Sequence, residues 1–161
     1  VLHGPYYRRG LGAEDWEVWA AIESFYDARK TKTIGVSNVS AEQLTMLGAK
    51  AKHKPMVVQN RCYAALGWDK DVREICRTYG IIYQGFSLLT ANSAIFAEPD
   101  LRAMAAKYQA GLAQIVFRFS QQIGMQPLTG TTNQQHMKED LQCERFTLTS
   151  DELALIETIG Q

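Results

Sequence analysis

The chain has 161 residues, of which 46% are hydrophobic, so it is long enough to form a globular domain with a buried core. Lysine plus arginine and aspartate plus glutamate number 17 each, so the net charge is zero and no basic surface indicates nucleic acid. No apolar run approaches the ~20 residues of a membrane-spanning helix. The three cysteines lack metal-ligand spacing and are typical of a reducing compartment. We therefore expect a cytoplasmic protein that binds neither nucleic acid, membrane nor metal.

Five short apolar segments are predicted to be strands, and helical patterns separate them. This alternation is the signature of βα units in a parallel sheet. The nearly continuous apolar character of each segment is expected when both faces of a parallel strand are covered. The first segment has only three residues, so we expect the chain to begin within a strand. The predicted strands are residues 1–3, 33–37, 56–60, 81–87 and 125–129.

The first of six predicted helices is marked by Val18, Ile22 and Phe25, which stand at the i, i+4, i+7 spacing of one helix face. Trp16 and Trp19 share this helical region, which favours helix packing over a substrate pocket. The later helices carry start and stop signals: serine or threonine followed three residues later by Gln or Glu, and glycine after the last apolar turn. The capping pairs are Ser40 with Gln43 and Thr149 with Glu152, and the glycine stops are Gly80 and Gly124.

A closed (β/α)8 barrel needs eight βα units in roughly 250 residues. With about five units, this chain is predicted to be a single α/β domain over residues 1–161 that forms part of such a barrel. Long stretches without clear periodicity follow three of the strands, at residues 4–14, 61–68 and 88–98. Loops after the strands form the face of a barrel on which active sites are built.

Polar residues stand at or just past the end of every predicted strand. Singly, each has a structural explanation: a Ser-Asn pair after a strand is commonly a turn or a helix cap, and a lone histidine is more often structural than catalytic. In a barrel, however, the five ends meet at one mouth, which favours a shared binding site. These residues are His3, Ser37, Asn38, Gln59, Asn60, Ser87, Thr129 and Thr131.

Several motifs resemble, in order and spacing, those of the aldo-keto reductases. They are Gly-Val-Ser-Asn at 35–38, Gln-Asn at 59–60, Gly-Phe-Ser-Leu-Leu at 85–89, the helical segment 112–122, and Pro-Leu-Thr-Gly-Thr-Thr at 127–132 followed by Glu-Asp at 139–140. The resemblance covers essentially the whole chain. It implies the fourth to eighth strands of a (β/α)8 barrel that binds NADPH without a Rossmann fold and transfers hydride to a small carbonyl substrate.

The resemblance also implies cofactor contacts at matching positions. Ser37, Asn38 and Gln59 would hold the nicotinamide carboxamide, and Phe86 would stack on the nicotinamide ring. The residues expected along the pyrophosphate and then around the adenosine, where backbone amides near a helix start suit phosphate, are Ser87 and Leu89, followed by Gly130, Thr131, Thr132, His136, Glu139 and Asp140.

The choice between NADP and NAD stays open. Gly130, Thr132 and His136 stand where NADPH-specific members of the family often carry lysine or arginine. A neutral histidine does not make the bidentate, charge-assisted contact of an arginine with a phosphate. Lys138 is the nearest residue able to supply a positive charge.

Of the family's catalytic set, only His3 has a match. Reduction of a carbonyl needs a general acid to protonate the developing alkoxide. The family's Tyr acid and its Lys and Asp partners belong upstream of His3, and Tyr6, Tyr7 and Tyr63 do not match the acid. The chain by itself is therefore expected to be inactive.

The alternative is a stand-alone half-barrel that acts as a binding or assembly module. An open barrel exposes unpaired strand edges, at residues 1–3 and 125–129, together with apolar surface. Such a chain is expected to self-associate or to bind a complementary half-barrel.

Overall fold

The computed structural model describes all 161 residues as an α/β fold with four parallel strands and seven α-helices. The hydrogen-bonded neighbours follow the chain order β1 Gly35–Ser37, β2 Val57–Arg61, β3 Ile82–Phe86 and β4 Met125–Pro127. The helices are α1 Ala13–Asp27, α2 Ala41–Lys50, α3 Lys70–Tyr79, α4 Pro99–Tyr108, α5 Leu112–Gln122, α6 Gln134–Leu141 and α7 Ser150–Thr158. None of these helices combines the length and the apolar composition that crossing a membrane would require.

The first of the five predicted strands is not a strand. Leu2 forms one isolated parallel bridge with Val36. Its backbone N–H donates to the Gly35 carbonyl at 2.8 Å, and its carbonyl accepts from the Ser37 N–H at 2.7 Å. A segment of three residues offers a single parallel bridge beside β1, so four of the five predicted strands form and the first is reduced to that bridge.

The chain divides into two compact units, residues 1–60 with 70–84, and residues 61–69 with 85–161. In the first unit, β1 and β2 pair in parallel with Gly35 opposite Val57 and Ser37 opposite Gln59. A Cβ atom on Gly35 would lie 2.4 Å from the Val57 carbonyl oxygen. Glycine at this position therefore permits the close approach of the two strands.

Helix α1 buries Trp19 and leaves Val18 and Phe25 of the apolar row that marked it in the sequence exposed. Val18 and Phe25 are 44% and 50% exposed, whereas Trp19 and Glu23 are buried. The Trp19 indole N–H donates to Glu23 Oε1 at 3.1 Å, and the same oxygen accepts from the His53 backbone N–H at 2.7 Å. These hydrogen bonds satisfy the buried Glu23 carboxylate, and Trp19 packs in the core as predicted.

In the second unit, Trp68 belongs to the core. It is fully buried, its indole N–H donates to the Ile156 carbonyl at 2.8 Å, and its ring lies 5.1 Å from that of Phe119. Trp68 is therefore a packing residue. In the same unit, a Cβ on Gly85 would lie 2.3 Å from Met125 Sδ, so glycine permits the close approach of β3 and β4.

The helix boundaries agree with the local signals. Reciprocal hydrogen bonds of 2.8 to 3.3 Å join both predicted capping pairs. Gly80 and Gly124 follow α3 and α5 with φ of +67° and +80°, the left-handed conformation in which glycine is favoured. The six predicted helices form as α1, α2, α3, α4, α5 and α7, and α6 is an additional helix.

Candidate functional site

Ser37 and Gln59 end the paired part of β1 and β2 in the first unit. Ser37 is 4% exposed, and its hydroxyl donates a 2.5 Å hydrogen bond to the Gln59 carbonyl oxygen. The same oxygen accepts from the Asn38 backbone N–H at 3.2 Å. This bonding sets the chain direction at the point where β1 ends.

Asn38 is held in the left-handed conformation, with φ of +51°. Asparagine tolerates this conformation better than most residues. Its side-chain nitrogen donates to the His3 carbonyl at 2.7 Å and to Ser37 Oγ at 3.2 Å. These bonds use the N–H groups of the exposed side-chain amide and leave Asn38 Oδ1 as a hydrogen-bond acceptor.

Gln59 repeats this arrangement on β2. Its side-chain nitrogen donates to Gln84 Oε1 at 3.1 Å, which leaves Gln59 Oε1 as an acceptor. Ser37, Asn38 and Gln59 thus place uncharged amide and hydroxyl groups where β1 ends and on the facing part of β2. Such groups suit a neutral polar ligand such as a carboxamide, whose N–H groups donate and whose oxygen accepts.

Asn60 has a structural role. It is 7% exposed, its Oδ1 accepts from the Val39 N–H at 3.0 Å, and its Nδ2 donates to the Val39 carbonyl at 2.8 Å. This pair of hydrogen bonds fixes the turn that carries Asn38. Asn60 therefore positions the site without belonging to its exposed surface.

The His3 side chain is exposed, and its backbone is tied to Asn38. In the segment that follows, Asp15 accepts from the Tyr6 N–H at 2.6 Å and from the Gly12 N–H at 2.9 Å. The negative charge of Glu14, whose Oε2 accepts from the Tyr7 hydroxyl at 3.2 Å, raises the pKa of that hydroxyl. A raised pKa is the opposite of what a general acid working near neutral pH requires.

A cleft of about 210 Å³ opens in the second unit, past the ends of β3 and β4. Three of the residues predicted to bind the cofactor line it, together with apolar and hydroxyl side chains. Ser87 follows β3 with φ of +57°, which repeats the conformation of Asn38 after β1. The lining residues are Ser87, Leu88, Leu89, Thr90, Phe117, Leu128, Thr129 and Gly130.

Asn92 holds this region together and was missed in the sequence. It is 5% exposed, its Oδ1 accepts from the Ala64 N–H at 2.7 Å, and its Nδ2 donates to the carbonyls of Cys62 and Leu88 at 2.8 and 2.9 Å. These bonds join the segments that follow β2 and β3 within the second unit. An asparagine in an irregular stretch resembles any turn residue, so no local signal marked it.

Arg61, at the end of β2, is a second residue that the sequence did not single out. Its guanidinium carbon lies 5.5 Å from the centre of the Phe86 ring, within the range of a cation–π contact. Arg61 is exposed and Phe86 is half-buried. The predicted stacking residue therefore has a cation over its ring.

The start of α6 is already capped. Asn133 Oδ1 accepts from the backbone N–H groups of Gln135 at 2.8 Å and His136 at 3.3 Å. Two of the amides expected to suit a phosphate are thus occupied by a side chain of the protein itself. His136 is exposed.

Four other predicted residues near α6, namely Thr129, Thr131, Glu139 and Asp140, form local hydrogen bonds. Thr129 Oγ1 donates to Asp140 Oδ2 at 3.1 Å, and Gln135 Nε2 donates to Glu139 Oε1 at 2.9 Å. Thr131 Oγ1 accepts from the Asn133 N–H at 3.1 Å. The charged side chains of α6 are Lys138, Glu139 and Asp140, so its charge is negative by one.

The predicted site residues thus fall into two groups, each within one unit. The first unit holds His3, Ser37, Asn38 and Gln59, and the second holds Phe86, Ser87, Leu89, Gly130, Thr131, Thr132, His136, Glu139 and Asp140. Hydrogen bonds connect the members of the first group directly, whereas the second comprises a cleft and an adjoining capped helix.

The chain is similar in sequence to known aldo-keto reductases. The chain is 34% identical over 165 residues to the 7-acetyl-epi-neemfruitin B aldo-keto reductase of Melia azedarach, covering 98% of this chain and 51% of that protein. It is 32% identical over 154 residues to aldo-keto reductase family 1 member C23 of Equus caballus, covering 89% and 48%. The chain therefore spans about half the length of these relatives.

The crystal structure of Gox0644 in its apo form has the same fold, with a TM-score of 0.81 at 23% identity over 90% of this chain and 53% of that one. The model of the aldo/keto reductase family matches residues 13–161. The α/β fold described above corresponds to half of an aldo-keto reductase barrel. The chain belongs to the aldo/keto reductase family.

Proposed function

We propose that this chain is the cofactor-binding portion of an aldo-keto reductase, from the fourth strand of the barrel to the eighth. The complete enzyme would transfer hydride from NAD(P)H to a small carbonyl substrate, and residues 1–161 would form a single domain of it. The observation that carries this proposal is the hydrogen-bonded set at the ends of β1 and β2, in which Asn38 joins His3 to Ser37.

The chemistry of that set matches a nicotinamide carboxamide. The ligand's two N–H groups would donate to Asn38 Oδ1 and Gln59 Oε1, which their own side-chain nitrogens leave available. The nicotinamide end would thereby be recognised by two neutral amides, that of Asn38 held by the His3 carbonyl and that of Gln59 held by the Gln84 side chain. No charged residue is required.

The second unit would hold the rest of the cofactor. The Ser87 hydroxyl lines the cleft and would donate to a pyrophosphate oxygen. Phe86 would stack on the nicotinamide ring. Arg61 supplies a positive charge beside Phe86, which favours a negatively charged ligand.

Bound cofactor would supply the hydride, and His3 would orient the carbonyl oxygen. Protonation of the alkoxide is the step for which the chain has no matched residue. Tyr7 does not replace the missing acid, because Glu14 raises its pKa. The chain by itself is therefore proposed to bind cofactor with little or no turnover, as an enzyme portion or as a non-catalytic cofactor-binding module.

Members of the family generally use NADPH. In this chain we propose that NADH is accepted at least as well. The negative charge of α6 and the capping of its first amides by Asn133 both disfavour an added phosphate.

The test is to titrate the full chain with NADPH and NADH by fluorescence and to assay reduction of a small aromatic aldehyde in parallel. Nicotinamide mononucleotide and ADP, titrated separately, report on the two ends of the cofactor. Binding without turnover supports the proposal. Turnover would contradict the proposed inactivity of the chain alone. The absence of binding for all four ligands would contradict the proposed cofactor recognition.

A further inference from the structure

Arg61 and Phe86 are the last residues of β2 and β3, the two inner strands of the sheet. The Cys62 backbone N–H donates to the Phe86 carbonyl at 3.1 Å, which keeps the two strand ends side by side. The guanidinium carbon of Arg61 lies 5.5 Å from the centre of the Phe86 ring. A cation therefore lies over the aromatic ring that is proposed to stack on the nicotinamide.

The charge of Arg61 is permanent, because arginine side chains stay protonated in proteins. Its contact with Phe86 is a contact with an uncharged ring, so the positive charge is not neutralised there. The Arg61 side chain belongs to an exposed residue, whereas Phe86 is half-buried. The Phe86 ring thus has a fixed positive charge beside it.

The two redox states of a nicotinamide cofactor differ in charge at this ring alone. The oxidised nicotinamide ring carries one positive charge, and the reduced dihydronicotinamide ring is neutral. The ribose, pyrophosphate and adenosine are the same in both states. A cation close to the ring therefore distinguishes the two states, whereas a cation at the pyrophosphate attracts both.

We propose that Arg61 makes the site selective for the reduced cofactor over the oxidised one, with the nicotinamide on the face of Phe86 opposite the guanidinium. This inference rests on the proposed function. An aromatic ring by itself attracts a cationic ring, and the charge of Arg61 opposes that attraction. The complete enzyme would hold NAD(P)H and release NAD(P)⁺ more readily, which suits carbonyl reduction rather than alcohol oxidation.

The preference is expected to be modest. The centres of stacked aromatic rings lie ~4.5–7 Å apart, so the guanidinium would lie roughly 10 to 12 Å from the nicotinamide. Coulomb's law at that separation corresponds to about twofold in affinity in water and about tenfold at the effective dielectric constant of a protein surface. Salt screens charges over ~8 Å at physiological ionic strength, so the preference should be largest in dilute buffer.

Isothermal titration calorimetry of the full chain with NADH and NAD⁺, and with NADPH and NADP⁺, measures the preference. We expect the reduced form of each pair to bind about two- to tenfold more tightly at low ionic strength, and Arg61→Gln to remove most of this difference. The ratio of the two affinities is the informative quantity. A weaker general attraction for pyrophosphate in the variant changes both affinities equally and leaves the ratio unchanged.

Two control variants separate the charge at this position from other effects. Arg61→Lys keeps the positive charge and should keep the preference. Arg102→Gln removes an exposed arginine of α4, whose Nε donates to the Phe96 carbonyl, and should leave the ratio as it is in the native chain. Because Arg61 is exposed, we expect Arg61→Gln to stay folded, as judged by circular dichroism.

The outcomes distinguish this inference from the proposed function. If both redox states bind and their affinity ratio is the same in the native chain and in Arg61→Gln, the inference is overturned while cofactor binding stands. If neither state binds, the proposed function is overturned and the inference with it. A native ratio that does not fall as salt rises from ~0.02 to ~0.5 M would also overturn the role of the Arg61 charge.

Discussion

The side-chain nitrogen of Asn38 donates a 2.7 Å hydrogen bond to the backbone carbonyl of His3, 35 residues earlier in the chain. The bond joins the residue after β1 to the residue after the Leu2 bridge. It places His3, the residue proposed to orient the carbonyl, beside the residues proposed to hold the carboxamide. The end of β1 therefore positions the His3 backbone as well as carrying the proposed ligand groups.

Replacing Asn38 by glycine should weaken binding at the nicotinamide end. Glycine keeps the left-handed backbone, so the variant removes the side chain without the strain that alanine would add. We expect nicotinamide mononucleotide to bind about tenfold more weakly, the effect of losing a hydrogen bond of roughly 1.5 kcal/mol. ADP binding serves as the internal control and should not change. An equal loss for both ligands would indicate a general loss of structure.

Asn92 should contribute strongly to stability. Asn92→Ala leaves the Ala64 N–H and the carbonyls of Cys62 and Leu88 without their side-chain partner in a buried region. We expect the free energy of unfolding to fall by roughly 2–4 kcal/mol in urea denaturation. Asn133→Ala, which removes an exposed helix cap, is the control and should lose about 1 kcal/mol. Equal losses of unfolding free energy in the two variants would show that burial of the Asn92 hydrogen bonds does not add to their contribution to stability.

Two glycines of the strands should differ in their response to alanine. At Gly35 the added Cβ meets the backbone oxygen of Val57, which cannot move without breaking the β1–β2 pairing. At Gly85 it meets the side chain of Met125, which can adopt another rotamer. We expect Gly35→Ala to destabilise by more than about 3 kcal/mol and Gly85→Ala by less.

A rescue experiment separates these two causes. Shortening Met125 to alanine should recover part of the stability lost in Gly85→Ala, whereas no single side-chain change should relieve Gly35→Ala. Gly130→Ala is the control, since no atom lies within 4 Å of its Cβ position. If Gly85→Ala is the more harmful of the two, the assignment of backbone and side-chain clashes is wrong.

Glu152 should make stability depend on pH. Burial alone would raise the pKa of its carboxyl group, but hydrogen bonds from Lys107, Tyr108 and Thr149 outweigh burial and lower the pKa from 4.5 to about 2. The folded-state pKa lies below the unfolded one, so the stabilisation is present above pH ~4.5 and is lost as the pH falls toward ~2. Its full size is about 3 kcal/mol.

Urea denaturation between pH ~2 and ~6 measures this effect. Other carboxyl groups titrate in the same range, so the informative quantity is the difference between the native chain and Glu152→Gln. That difference should shrink as the pH falls, because the glutamine does not ionise. A difference that stays constant with pH would show that the Glu152 charge contributes no stability.

The cofactor preference should respond to charge at the start of α6. We expect His136→Arg to raise affinity for NADPH by about tenfold and to leave NADH unchanged, because arginine adds a charge-assisted contact to the extra phosphate. Gly130→Lys should act in the same direction. Lys138→Ala is the control for loss of charge and should lower NADPH affinity. Fluorescence titration with both cofactors gives the ratio of NADPH affinity to NADH affinity. If this ratio is unchanged in both His136→Arg and Gly130→Lys, the proposal is contradicted.

The sequence by itself determined the features that depend on neighbours within a few residues. The capping pairs Ser40–Gln43 and Thr149–Glu152, and the turns at Gly80 and Gly124, follow from hydrogen bonds and backbone preferences inside one helix end. The order of the βα units and the motifs at 35–38 and 127–132 also identified the family. Such local signals can be recognised without knowing which residues pack against them.

Tertiary structure alone decided which surfaces are buried and which polar residues hold the backbone. The apolar face of α1 is exposed, while Glu23 is buried, because Trp19 and His53 supply its hydrogen-bond partners. Asn92 and Trp68 bond to residues far along the chain, and Leu2 pairs with only one residue. Burial depends on residues that are distant in the sequence, and the apolar pattern of one helix does not reveal them. Burying a polar group is favourable only when such residues supply its hydrogen-bond partners.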